Sequence, residues 1–188
     1  MTLLCLLTTP NSYRKAQAEV DAYYDSKEAK NDPNSIITYA DAKSLPYIQA
    51  CIREALRLWP PSAGLFTKQV PDNGGDTVHG YYLPPGTELG QCVMGVGRYP
   101  AIFGNTEDAS IFRPERWFEA DPQRLEQMAS AVDLVFSTAK YVCLGKPIAL
   151  MELAKFFVEV CWTCPAYDLK QIDTLSLYQT TADDFIET

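Results

Sequence analysis

The chain has 188 residues, 47% hydrophobic and 21% charged. That is enough for a buried core, and it excludes a disulfide-stapled miniprotein or a wholly disordered tail. With 16 Lys and Arg against 24 Asp and Glu, the net charge is -8, a poor balance for gripping nucleic-acid phosphates.

In chain order, Met1–Leu7 is apolar but stops at Thr8-Thr9-Pro10. It is far short of the roughly 20 residues that span a bilayer, lacks the flanks of a signal peptide, and reads as the end of a helix. Thr9-Pro10 opens a helix that runs to about Tyr24, with Tyr13, Ala16, Val20 and Tyr23 on one face. Residues 26–35 are polar and read as a loop. Thr38-Tyr39-Ala40-Asp41 is a short capped helix, and Ser44-Leu45-Pro46 opens a stronger one. In that helix Ile48, Cys51, Ile52, Ala55 and Trp59 recur at helical spacing until Pro60-Pro61 stops it.

The texture then changes. Residues 65–70, 77–82 and 87–93 are β-like runs between turn signals at Asn73-Gly74-Gly75 and Pro84-Pro85-Gly86, which suggests a small antiparallel sheet. Residues 95–135 show little periodicity. Residues 144–162 read as a helix with Leu144, Ile148, Met151 and Val158 on one stripe. The last 25 or so residues carry no clear pattern. The fold class is mainly α-helical with a small antiparallel β-sheet, α+β.

Three places could carry chemistry. Glu54 and Arg57, three apart on the strong helix, share one face. Such a pair is ordinarily a solvated one contributing a few tenths of a kcal/mol. Here it lies one turn before Trp59-Pro60-Pro61, where a solvated face should be fading. Pro114-Glu115-Arg116-Trp117 is either a plain helix start or a source of a buried guanidinium, Arg116, that joins Glu54 and Arg57. Cys143 stands at the mouth of the last helix. It is either a buried free cysteine or a ligand whose thiolate is favoured by the helix N-terminus. The N–H groups after it would then bond the sulfur, and Gly145 would let something flat approach the backbone.

Two rival chemistries fare worse. Cys161-Trp162-Thr163-Cys164 is a CxxC, but it closes a helix instead of opening one, and Pro165 stops extension. Zinc would want a second such pair. His79 is the only histidine and reads as a surface or half-buried residue, so Ser-His-Asp catalysis would need a borrowed group. The six cysteines lack a framework spacing and read as reduced and intracellular.

Taken together and in order, these motifs resemble the cytochrome P-450 family of heme-thiolate monooxygenases. The family's Glu-x-x-Arg matches Glu54 and Arg57, its Pro-Glu-Arg-Trp matches Pro114–Trp117, and its Phe-x-x-Gly-x-Arg-x-Cys-x-Gly aligns with Phe136, Cys143 and Gly145. The runs Tyr47–Pro61 and Cys143–Leu153 resemble filamentous-fungal members, many of which serve secondary metabolism. The resemblance covers roughly residues 1–160, the C-terminal, heme-binding part of such a domain, and leaves 161–188 as a divergent tail.

It implies heme b as cofactor, with Cys143 as the axial iron ligand. It implies a structural triad of Glu54, Arg57 and Arg116. It places Phe136 near the sulfur, Lys68 at a heme propionate, and Ser62–Thr67 near substrate. It further implies oxygen insertion from O2 into a small organic substrate, with electrons from NADPH-cytochrome P-450 reductase. Two signature positions differ: Ala139 replaces the glycine and Tyr141 the arginine, with Lys140 next door as a source of charge. Family members are much longer. The membrane anchor of these endoplasmic-reticulum proteins and the oxygen-activating helix with its acid–alcohol pair are absent from these residues, so no catalytic residue is assigned. For a chain without that anchor the expectation is the cytoplasm or an unassigned location. The alternative is a truncated remnant that catalyses nothing.

Overall fold

The computed structural model describes residues 1–26 and 36–163. The loop expected over 26–35, Cys164 of the CxxC and the tail lie largely or wholly outside the described residues.

The N-terminal part is helical. Helix α1 (Thr2–Leu7) is followed by α2 (Pro10–Ser26), α3 (Tyr39–Lys43) and α4 (Pro46–Leu58). Thr38 caps α3 as expected, its side chain accepting the Asp41 N–H. At α4 the N-cap is Leu45, which offers no side-chain acceptor. Glu19 of α2 takes over, accepting the N–H groups of Tyr47 and Ile48, each at 2.9 Å. The buried face of α2 is Ser12, Tyr13, Ala16, Val20 and Tyr24, with Tyr23 only half-buried. Trp59 does not continue the buried stripe of α4. The helix ends at Leu58, and Trp59 is 39% exposed beneath the Arg98 guanidinium.

The β region is two separate hairpin-like pairs. Strand β1 (Phe66–Gln69) pairs antiparallel with β4 (Glu88–Gln91), setting Lys68 opposite Leu89. Strand β2 (Asp76–Val78) pairs with β3 (Tyr81–Leu83). The single run expected over 77–82 is in fact this hairpin. His79 and Gly80, both at positive φ (49° and 83°), turn the chain, and His79 is exposed.

Residues 95–135 are largely helical, contrary to the aperiodic reading. They hold α6 (Pro100–Phe103), α7 (Thr106–Ser110), α8 (Arg116–Glu119) and α9 (Pro122–Asp133), after α5 (Val93–Val96). Asp121 caps α9 by accepting the Arg124 N–H, with Pro122 in its first turn. Only Met128, Ala131 and Val132 of α9 are buried, too few to raise a periodic signal. The last helix, α10 (Lys146–Thr163), begins two residues after the expected start. Its buried face is Ala154, Phe157, Val158 and Cys161. Of the expected stripe only Val158 is buried; Leu144, Ile148 and Met151 are exposed.

One core joins these parts. Leu6, Val20, Ile48, Cys51, Phe103, Met128, Phe136 and Val158 are among its members. Of the described cysteines, Cys5, Cys51 and Cys161 are buried, and Cys92 and Cys143 are exposed. Burial pushes the Cys5 thiol up to about 11 and moves Cys51 in the same direction, so neither is a ready thiolate near neutrality. Among the described residues no helix is long and apolar enough to cross a membrane.

Candidate functional site

The three sequence motifs fall into two adjoining sites. The first is a buried charge cluster. Helix α4 carries Glu54 and Arg57 inward, both 1% exposed or less. The Glu54 carboxylate accepts from Arg57 Nε and Nη2 at 3.0 and 2.7 Å and from Arg116 Nε at 2.9 Å. It also accepts the Arg113 backbone N–H and the Trp117 indole N–H, each at 3.0 Å. Its lone pairs are saturated, which is what keeps an ion in a dry core.

The two guanidiniums use their remaining donors on backbone carbonyls. Arg57 donates to Gly97 and Ala109, each at 2.6 Å, and to Ile111 at 3.0 Å. Arg116 donates to Phe103 at 2.9 Å and to the Asp108 carbonyl at 2.6 Å, and pairs with the Asp108 carboxylate at 3.0 Å. These carbonyls belong to the short helices α6 and α7 and the turns around them, between β4 and α8. The cluster is therefore a clamp on short helices too brief to hold their own places. Gly97 shows how tight it is, since a Cβ there would lie 2.3 Å from the Arg57 carbonyl oxygen.

The expected trio is brought together, but Asp108, Arg113 and Gly97 were not foreseen. Arg113 holds the Asp108 carboxyl below the usual carboxylate range, with Arg116 adding to the effect. Arg113 also pairs with Glu119. Glu115, inside the recognised motif, takes no part in the cluster. It accepts from Lys15 at 2.6 Å and from the Tyr47 hydroxyl at 2.8 Å, tying α2 to α4.

The second site is the loop before α10. Phe136 is 8% exposed and roots the loop in the core. The Cys143 N–H donates to the Phe136 carbonyl at 2.8 Å, and Tyr141 N–H donates to Thr138 at 3.1 Å. This closes a tight lobe in which Ser137 and Ala139 both sit at positive φ, 61° and 52°. Ala139 occupies a bend suited to glycine, and Ser137, with ψ near 180°, a region nearly reserved for it. The lobe presents Cys143 outward, so its thiol is exposed and not a core residue.

The expected hydrogen bonds to the sulfur are not seen among the described residues. Lys146 N–H instead donates to the Cys143 carbonyl at 3.3 Å and Ala149 N–H to Gly145. A Cβ at Gly145 would meet only the Cys143 sulfur, at an ordinary 3.7 Å. The local fold does not itself demand glycine there.

Cys143 faces a cavity of about 590 Å³ with Phe136, Val93, Leu89, Tyr141 and Lys68 in its wall. That is a ligand-sized space, mostly apolar with few polar groups. Lys68 reaches Ser137 Oγ at 3.4 Å and lies 4.8 Å from the centre of the Tyr141 ring. Lys140 lies 5.0 Å from the same ring. An exposed thiol in the wall of a mostly apolar cavity that Lys68 also lines fits, as a donor set, an iron porphyrin bearing carboxylates. No cluster of three or more His, Cys, Asp or Glu side chains that could hold a metal ion occurs among the described residues.

Comparison with known proteins agrees. A family model described as cytochrome P-450 matches residues 1–161. Cytochrome P-450 monooxygenase ABA1 of Pyricularia oryzae is 38% identical over 92% of this chain and 32% of its own length. Its counterpart aba1 of Botryotinia fuckeliana is 37% identical over 90% of this chain and 31% of its own. Pisatin demethylase of Fusarium vanettenii is 36% identical over 84% of this chain and 28% of its own. The chain thus spans about a third of the length of these relatives. With the buried Glu54–Arg57–Arg116 clamp, the outward Cys143 loop and this similarity, the chain belongs to the cytochrome P-450 family, whose members are heme-thiolate monooxygenases.

Proposed function

We propose that this chain forms the thiolate side of a heme site, with Cys143 as the iron ligand. The observation that carries the reading is the exposed Cys143 thiol in the wall of an apolar cavity, on a loop rooted by the buried Phe136. When bound, heme supplies activation of O2 for insertion of one oxygen atom into an organic substrate, with electrons from a reductase.

The chain's own residues do the holding. The Phe136 ring and carbonyl fix the loop, so the sulfur is presented in one place. Gly145 keeps the approach over the sulfur unobstructed. Glu54, Arg57 and Arg116 clamp the backbone of residues 97–111 without touching the cavity, a scaffold role. Lys68, Lys140 and Tyr141 supply the polar rim for carboxylates. The substrate class follows the relatives, whose names include monooxygenases and a demethylase acting on pisatin.

The test is the absorbance spectrum of the purified chain after reconstitution with heme, reduction and exposure to carbon monoxide, with Cys143→Ala beside it. A long-wavelength Soret band, lost in the variant, is expected. The same shorter-wavelength band in both proteins, or none, overturns thiolate ligation.

A second reading, a segment that binds without turning over, is favoured by one observation. Leu144, Ile148, Met151 and Phe156 are all exposed on or next to α10, and exposed apolar side chains gathered on one face mark association surfaces. Size-exclusion chromatography with light scattering separates the readings. A clean monomer weakens this second one, and association through that face supports it.

A further inference from the structure

The loop that carries Cys143 is fastened from behind, by residues outside the cavity wall. We infer that Lys146 and Asp133 are positioning residues whose ion pair clasps the two ends of that loop and holds the arrangement that presents the thiol. The clasp is a property of the protein without heme, and only its consequence at iron rests on the ligation reading.

Helix α9 ends at Asp133 and α10 begins at Lys146, with residues 134–145 between them. The Lys146 ammonium meets the Asp133 carboxylate at 2.8 Å. It also lies 5.3 Å from the centre of the Phe136 ring, a cation–aromatic contact. The backbone N–H of the same lysine donates to the Cys143 carbonyl at 3.3 Å. One residue thus touches the preceding helix, the ring that roots the loop and the residue that bears the sulfur. Neither Lys146 nor Asp133 lines the cavity.

Helix stability does not explain these two charges. A cation in the first turn of α10 and an anion in the last turn of α9 each oppose the dipole of their own helix. Joined, they offset that penalty and tie one helix end to the other. The loop needs such a tie. Ser137 and Ala139 hold positive φ, 61° and 52°, and strained backbone persists only where its surroundings over-determine it. The two side chains are 27% and 61% exposed, so the hold is modest and open to screening by salt.

The experiment is residue-resolved hydrogen exchange on the full chain without heme, at low and at high ionic strength. The reporters are the amides of Tyr141 and Cys143, which donate to the carbonyls of Thr138 and Phe136, with the Trp59 amide at the end of α4 as control. Lys146→Gln and Asp133→Asn should each speed exchange of the two loop amides by about twofold to fivefold, the range of an exposed ion pair, and leave Trp59 unchanged. Lys146→Arg should retain wild-type protection. The double variant should be no worse than the worse single one, because both changes remove the same contact. Raised salt should loosen the wild-type loop and leave the double variant's as it is. Unchanged exchange in both single variants, or losses that add in the double, overturns the clasp. Reconstitution with heme, reduction and exposure to carbon monoxide then read the positioning. The single variants should show a smaller share of the long-wavelength band than wild type, and Lys146→Arg should keep it. Equal shares beside a loosened loop overturn the positioning role. If wild type shows no such band, the ligation reading fails, and the exchange rates still decide the clasp.

Discussion

The charge cluster behind α4 and the loop carrying Cys143 adjoin one core and are built on opposite principles. In the cluster every strong donor and acceptor is used. One carboxylate takes five hydrogen bonds, and two guanidiniums spend the rest of their donors on five backbone carbonyls and the Asp108 carboxylate. In the loop the thiol is exposed, two non-glycine residues sit at positive φ, and among the described residues no carboxylate pairs with Lys140 or with the neighbouring Lys68 of β1. The first region is complete without a ligand and sets a rigid frame. The second holds unspent binding capacity and backbone strain, the usual condition of a functional loop on a rigid scaffold.

The largest way to test that contrast is to break the frame. Glu54→Gln leaves two buried guanidiniums facing a neutral amide, and should cost about 3–5 kcal/mol of stability. Cys143→Ala, at an exposed position, should fall within about 0.5 kcal/mol. Denaturant unfolding of both variants reads the difference. Comparable losses in the two would erase the distinction between frame and loop.

Next in size is Gly97→Ala. Its methyl would be forced onto the Arg57 carbonyl, and overpacking of this kind costs about 1–3 kcal/mol. A shift in the thermal midpoint to lower temperature checks it. A neutral result would show that the clamp gives way locally.

The loop should respond in the other direction. Ala139→Gly removes a side chain from a left-handed position and should stabilise by about 0.5–1 kcal/mol, after allowing for the freedom glycine adds to the unfolded chain. If stability drops instead, the strain at Ala139 is compensated by contacts its methyl makes.

The smallest effect is in pH. The Asp108 carboxyl is depressed by Arg113 and Arg116, so its contribution is present above the ordinary carboxylate range, near pH 4. It is lost as pH falls through the depressed folded value. Stability curves of wild type and Asp108→Asn should therefore be separated at pH 6 and converge as pH falls through that depressed value. A constant gap at all pH values would mean that Asp108 acts through shape and not through charge.

Much of the frame was legible in residue order. Thr38 announced its cap, Pro10 and Pro46 their helix starts, and Glu54 and Arg57 their shared face. The Cys143 loop was legible too, through the family signature in which Ala139 stands at a glycine position, and there the backbone turns at positive φ. Those signals are local, since capping, proline geometry and spacing act within a turn or two of chain.

What escaped the sequence was whatever depends on neighbours brought from afar. The stripe Leu144, Ile148, Met151 has helical spacing, yet packing turned α10 so that Ala154, Phe157 and Cys161 face the core. Asp108 and Arg113 look like ordinary surface charges until α7 and α8 fold them onto Glu54 and Arg116. Gly97 matters only because the Arg57 carbonyl arrives beside it.

By itself, then, the sequence determined the family, the ligand cysteine to be tested and the starts of the main helices, because these rest on short-range geometry and motif order. Tertiary structure alone decided which charges were buried together and which face of α10 stayed open. It also decided that two lysines distant in sequence share one tyrosine ring. Burial and electrostatic pairing depend on distances that residue order leaves undefined.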